Sequence, residues 1–157
     1  MSFWSFVEWC QHSPFSVTIR GSSWMFPAIE ITHLLGQALL LGIVIIGNLR
    51  LAGLAWRDQP VTRISSDLKR WWRTALAVLS VSGVLLFFPE AEKCFSAPTF
   101  SIKLGLLALA LFFQARLYRR AAAAETAARS VSAKLPAFLL LGVWFGIVFA
   151  GMWIELG

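Results

Sequence analysis

Four side chains in the apolar parts of this sequence have the chemistry of a buried polar site: a carboxylate, an imidazole, an amide and an ammonium. Glu30, His33 and Gln37 are three and four residues apart, so a helix places them on one face. Lys103 lies in another apolar segment, shortly after Pro98. Ionisable groups inside a membrane segment are costly and mark functional sites by default. These residues therefore predict a polar cluster inside a helical bundle.

Two further polar residues extend this pattern. Asn48 continues the polar face of the first segment, and Gln114 lies on the same face as Lys103, eleven residues deeper. Glu30 and Lys103 are equally close to the starts of their segments, which brings an ion pair between them within reach. Two interpretations of the cluster stay open: a satisfied polar core that fixes helix register, and a functional site.

The elements that carry these residues are long and apolar. The chain has 157 residues, of which 58% are hydrophobic and 14% charged, whereas soluble domains have about 25% charged residues. Four segments are long enough to cross about 30 Å of hydrocarbon, and they are residues 25–47, 72–88, 98–118 and 135–156. We expect an all-α membrane protein, a single up-and-down bundle of four transmembrane helices. Residues 1–23 are predicted to form an interfacial segment with a short helix.

The basic residues predict the orientation of the chain. Most of them lie between the first and second segments or between the third and fourth, and they are Arg50, Arg57, Arg63, Lys69, Arg70, Arg73, Arg116, Arg119, Arg120, Arg129 and Lys134. The positive-inside rule places both groups in the cytoplasm and both termini in the periplasm of a bacterial inner membrane. The net charge of +6 therefore reflects topology, and we expect no nucleic-acid partner. The first residues do not resemble a cleavable signal peptide.

Small residues and tryptophans predict how the helices pack and where they end. The fourth segment has Gly142, Gly146 and Ala150 at four-residue spacing, and the first has Gly36 and Gly47. Such residues let neighbouring helices approach closely in lipid. The eight tryptophans are interpreted as interfacial anchors.

Cys10 and Cys94 both fall on the predicted periplasmic side, where disulfides form. A disulfide between them would join the N-terminal segment to the loop at 89–97, and two unrelated thiols are the alternative. Cys10 with His12 is weak evidence for a metal site, because two ligands are too few. Whether a metal binds stays unknown at this stage.

Five stretches carry a resemblance to a known family. They read PAIEITHLLGQALLLG, NLRLAGL, VSGVLLF, APTFSIKLGLL and LGVWFGIVFAGMWIEL. On these the chain resembles, over nearly its whole length, an uncharacterised bacterial family of small four-helix membrane proteins, a domain of unknown function. Glu30, His33 and Lys103 match the family pattern. The family pattern has an acid at the position of Asn48, a histidine near the position of Gln114 and an arginine at the position of Met152. These three departures are expected of a paralogue retained as a structural subunit.

Three functions follow as hypotheses. The first is a structural or anchoring subunit of a periplasm-facing inner-membrane complex, a redox complex among the options, with other subunits or a second copy as partners. The second is a small electron-transfer protein similar to b-type cytochromes, with haem b ligated by His33 and by Met152 or a second copy's imidazole. The third is proton or small-solute handling by the polar cluster. We do not expect the chain to be an enzyme on its own.

Overall fold

The computed structural model describes residues 3–126 and 134–156, and every regular element in this part of the chain is an α-helix. The helices are α1 (Phe3–His12), α2 (Pro14–Gly21), α3 (Met25–Leu51), α4 (Val61–Phe87), α5 (Ala91–Ser96), α6 (Pro98–Thr126) and α7 (Lys134–Leu156). The prediction of an all-α protein is confirmed. We use "α5 end" for the end of the long helices at which α1, α2 and α5 lie.

Three helices of the described residues are long and apolar enough to cross a membrane: Met25–Leu51, Pro98–Ala124 and Lys134–Met152. They correspond to the first, third and fourth predicted segments, and they make this chain a membrane protein. Helix α4 is not among these helices, because its charged first turns leave too short an apolar stretch. Its apolar part starts after Arg73 and has about 14 residues, or about 21 Å at 1.5 Å per residue. The crossing predicted for residues 72–88, which lie in α4, therefore stays a prediction.

The long helices extend beyond the predicted segments. Helix α4 begins at Val61, eleven residues before the predicted start, and α6 continues to Thr126. The added turns are polar, and their backbone hydrogen bonds form in water as they do in lipid, so hydropathy marks the apolar part of a helix and not its ends. The alanine-rich stretch AAAAETAARS, residues 121–130, is predicted to extend helix α6, and its last four residues lie outside the described part of the chain. Helix α3 ends before Gly53, whose φ of +69° is the left-handed conformation common at helix ends.

The predicted interfacial helix consists of two helices, α1 and α2. Ser13 separates them, and its hydroxyl accepts a hydrogen bond from the Ser16 amide at 3.2 Å, while Pro14 occupies the first position of α2. Helix α1 packs against α5 through a buried cluster of Val7, Cys10 and Ala91. The N-terminal helices thus cover the short helix that leads into α6.

The four long helices contact one another in a closed order. Helix α3 contacts α4 and α7, and α6 contacts the same two helices. The main buried cluster lies between them and consists of Leu40, Ile43, Val44, Ala75, Ala110, Leu140, Trp144 and Ile147. Large apolar side chains on the outward faces are exposed, as expected for helices surrounded by lipid.

The glycines show where helices approach most closely. A Cβ at Gly36 would lie 3.0 Å from Val78 of α4, and a Cβ at Gly47 would overlap the hydroxyl of Tyr118 of α6. A Cβ at Gly142 or Gly146, in contrast, would meet nothing within 4 Å. The predicted small-residue ridge of the last helix therefore makes no close contact at these positions within the described chain, because they face away from the other long helices.

Candidate functional site

A cavity of about 630 Å³ lies between the long helices near the α5 end. Its polar lining consists of Glu30, His33, Gln37, Ser80, Glu90, Lys93, Cys94 and Lys103. On α3 the lining extends from Phe26 to Leu41, with Glu30, His33 and Gln37 in between. The structure thus brings all four residues of the predicted polar cluster to one cavity, although whether the cavity is a functional site stays a prediction.

A hydrogen bond to Ser82 of α4 holds the side chain of His33 in place. Its Nδ1 lies 2.9 Å from Oγ of Ser82, whose hydroxyl lies 2.6 Å from the carbonyl oxygen of Val78. Because Ser82 has one hydroxyl hydrogen and donates it to this carbonyl, its oxygen accepts from Nδ1–H of His33. The neutral ring then has an unprotonated Nε2, which has no hydrogen-bond partner among the described residues. The imidazole therefore offers an acceptor, held in orientation by its other nitrogen.

Glu30 and Gln37 lie one helical turn to either side of His33. Both are half-buried, and the described part of the chain supplies neither of them with a hydrogen bond or an ion pair. The ion pair predicted between Glu30 and Lys103 is not formed. Lys103 reaches past Glu30, since its Nζ approaches Gly151 of α7 at the depth of Gln37, about 10 Å along α3 from Glu30.

Gly151 of α7 is where α3 and α6 present polar groups to one point. A Cβ at Gly151 would lie 2.8 Å from Nζ of Lys103 and 3.6 Å from Nε2 of Gln37. The glycine thus leaves room for an ammonium from α6 and an amide from α3. Both groups are hydrogen-bond donors, so this part of the cavity favours an acceptor atom on a ligand.

Helix α5 and the residues before it line the cavity at one end. Glu90, Lys93 and Cys94 all contribute to its wall. Burial raises the pKa of the Cys94 thiol, and the Glu90 carboxylate raises it further, while Lys103 and Lys93 act in the opposite direction. This thiol is therefore largely protonated at neutral pH. Two carboxylates and two ammonium groups line the cavity, so its charges balance.

Trp144 of α7 lies at the other end of the cavity. Its indole Nε1 donates to Oε1 of Gln114 at 3.1 Å, and its ring packs edge-on against Trp72 at 5.8 Å. Gln114 also exchanges two hydrogen bonds with Asn48, at 3.3 and 3.1 Å, and all three polar side chains are buried. Asn48 and Gln114 thus belong to a separate, satisfied polar network that joins α3, α6 and α7.

Met152 does not join His33. Its side chain is 48% exposed and is not part of the cavity lining. His33 is thus the one predicted haem ligand that faces the cavity, and a haem held between His33 and Met152 of the same chain has no support in this geometry. No group of three or more His, Cys, Asp or Glu side chains within the described residues could hold a metal ion.

Cys10 and Cys94 are buried, free thiols. The predicted connection between the N-terminal segment and the 89–97 loop does exist, but other contacts make it. Gln11 donates to Glu92 at 3.0 Å and accepts from the Glu92 amide at 2.9 Å. Of the two alternatives for the cysteines, the structure shows the one without a disulfide.

The sequence did not predict Ser82, which bonds His33, or Trp144 and Gly151, which line the cavity, as site residues. Ser82 and Gly151 belong to the stretches VSGVLLF and LGVWFGIVFAGMWIEL that carry the family resemblance. Trp144 lies in the middle of an apolar helix, where an indole N–H needs a partner, so it could have been distinguished from the interfacial tryptophans. The helix that each of them faces could not be read from the sequence.

These features define an all-α membrane protein with a largely apolar cavity between its long helices, into which a small number of polar side chains project. The chain belongs to a family of unknown function, DUF6644, whose model matches residues 6–157. Comparison with the curated proteins and with the solved structures gives no match.

Proposed function

We propose that this protein is a membrane subunit that binds an amphipathic small molecule in the cavity between its long helices. The polar head of the ligand lies beside Glu30, His33 and Gln37, and its apolar part lies among leucine and phenylalanine side chains. In this proposal α4 crosses the bilayer as the fourth helix of the bundle, and both termini lie in the periplasm of a bacterial inner membrane.

One observation carries the proposal: the side chains of Glu30 and Gln37 and the Nε2 atom of His33 border a largely apolar cavity without a hydrogen-bond partner among the described residues. Polar groups in a membrane interior are stabilised only when they find hydrogen bonds. A ligand that accepts from the Gln37 amide and donates to Nε2 of His33 would supply these bonds, and the Lys103 ammonium lies beside the Gln37 amide. Because the lining charges balance, a neutral head with both a donor and an acceptor fits best.

Binding can be measured by native mass spectrometry of the full chain released from detergent micelles. The probes are three neutral amphipaths with different heads: a monoacylglycerol, an alkylphenol and a decyl-substituted benzoquinone. We expect at least one of them to bind in a 1:1 ratio. Gln37→Leu should weaken that binding about tenfold, since a lost hydrogen bond is worth about 1 kcal/mol or slightly more.

Thr32→Val is the matched control, because Thr32 lies on the same helix, is exposed and bonds only its own helix backbone. It should bind the probe as the natural chain does. If none of the three probes binds, or if Gln37→Leu binds as tightly as Thr32→Val, the proposal is wrong.

A structural or anchoring subunit without a ligand is the second candidate. The observation that favours it is the outward face of α7, where Gly142 and Gly146 leave open space for another helix. Under this alternative the chain migrates with other membrane subunits in mild detergent, and Gln37→Leu leaves the assembly unchanged. A chain that purifies alone as a monomer contradicts it.

An electron-transfer protein with haem b is the third candidate, and the oriented imidazole of His33 favours it. One chain offers one axial ligand to the haem iron, so a haem with two axial ligands would require a second copy of the chain. A reduced-minus-oxidised visible spectrum of the purified protein tests this directly. A Soret shift that His33→Ala abolishes would support haem binding, and a flat spectrum would eliminate it.

A further inference from the structure

The walls of the cavity differ in how well they are closed. At one end, Glu90, Lys93 and Cys94 lie across the cavity, and α1 packs behind α5. At the other end Trp144 is fixed by its hydrogen bond to Gln114 and is followed by the buried cluster of Leu40 and its neighbours. A molecule that moved along the helix axes would therefore meet protein at both ends.

The side between α4 and α6 is different. Ser80 and Val84 of α4 and Leu104 of α6 line the cavity and are nevertheless exposed, Val84 by 56% and Leu104 by 50%. Side chains of the long helices that border both the cavity and the outer surface mark an opening towards lipid; Lys93, the other exposed residue of the lining, belongs to α5. These two helices also make the sparsest contact of the four neighbouring pairs. All three residues lie in the apolar parts of their helices, so the opening faces lipid.

Aromatic side chains line the cavity behind this opening. Phe87 and Phe100 stack with ring centroids 6.0 Å apart, and Phe26 and Trp144 also contribute to the wall. Such walls favour a flat ring over a flexible head. The donors at Gly151 suit a carbonyl oxygen on that ring, and Nε2 of His33 suits a hydroxyl, which the reduced form of the same ring carries.

Resting on the proposed function, we infer that the ligand is a lipid-soluble quinone or its quinol, which enters the cavity sideways from the bilayer between α4 and α6. The carbonyl oxygen accepts from Lys103 and Gln37, and the hydroxyl of the quinol donates to His33. The opening between Val84 and Leu104 admits the ring from the bilayer and leaves the tail in lipid.

The test uses the full chain in liposomes and a decyl-substituted benzoquinone, which quenches tryptophan fluorescence at short range. Palmitate and a tailless benzoquinone are the comparison probes. We expect saturable quenching by the decyl compound at least tenfold below the concentration needed for the tailless one. Trp144→Phe should remove the saturable part, because Trp144 lines the cavity whereas the exposed tryptophans respond only in proportion to concentration.

The opening is tested with Val84→Phe, which should slow the onset of saturable quenching at least fivefold. Val81→Phe is its control, because Val81 lies on the same helix, is 62% exposed and does not line the cavity.

If palmitate binds at this site and the decyl compound does not, the quinone inference is wrong while the proposed function stands. If Val84→Phe and Val81→Phe behave alike, the route between α4 and α6 is wrong. If no amphipath binds, both proposals fail.

Discussion

Asn48 and Gln114 illustrate how individual polar side chains stabilise helices in lipid. Their amides exchange two hydrogen bonds, and Oε1 of Gln114 uses its second lone pair for the indole of Trp144. The three side chains are almost completely buried. Since lipid offers no replacement partner, the Asn48 amide and the Trp144 indole both depend on Gln114.

We predict that Asn48→Leu and Gln114→Leu each lower the free energy of unfolding by about 0.5–2 kcal/mol, the range for buried hydrogen bonds in membranes and for unsatisfied polar groups. The double variant should lose less than the sum of the two, because no amide is left without its partner amide. Unfolding by sodium dodecyl sulphate in mixed micelles measures this. Ser66→Ala, at an exposed position, is the control, and strictly additive losses would contradict the network.

At the scale of helices, Gly47 of α3 leaves room for a side chain of α6. The hydroxyl of Tyr118 occupies the space in which a Cβ of residue 47 would lie. The same helix contains Gly42, at which a Cβ would meet nothing within 4 Å. One helix thus provides a close-contact glycine and an open one for comparison.

We predict that Gly47→Ala lowers the free energy of unfolding by about 1–3 kcal/mol, as overpacking does, and that Gly42→Ala does not lower it. Adding Tyr118→Phe to Gly47→Ala should recover part of the loss, because it removes the overlapping hydroxyl. Thermal unfolding in detergent measures all three variants. Equal stability of Gly47→Ala and Gly42→Ala would show that the overlap with Tyr118 does not destabilise the protein.

For the whole molecule, the number of crossings depends on α4. Its apolar part of about 14 residues is short for a bilayer. Tryptophans at 71 and 72 and the basic residues beside them can extend its reach, since such side chains lie at the interface or extend towards it. A chain with four crossings has the end of α6 and the start of α7 on the same side as the charged turns of α4, and a chain with three has them on the opposite side.

We predict four crossings, and single cysteines in a Cys10→Ala, Cys94→Ala background test this. An impermeant maleimide applied to spheroplasts should label Ser23→Cys, and it should label Ser66→Cys and Leu135→Cys only after lysis. All three positions are exposed. Labelling of Leu135→Cys in intact spheroplasts, with Ser66→Cys protected, would mean that α4 does not cross.

The sequence by itself determined the helical class, three membrane helices and the polar face of α3. These properties are local, because backbone hydrogen bonds form within each helix and hydropathy is a sum over neighbouring residues. The spacing of Glu30, His33 and Gln37 places them on one face of any α-helix, whatever surrounds it. Lys103 is predicted from its position in an apolar segment, and the family pattern matches it, but neither gives the helix that it approaches.

Only the tertiary structure decided which groups meet. The rotation of α4 brings Ser82 to His33, and the absence of a side chain at Gly151 lets Lys103 reach the depth of Gln37. The same packing leaves Met152 outside the cavity and directs Gly142 away from the other long helices. These outcomes depend on how helices distant in sequence rotate and approach one another, and the contacts that fix this are non-local.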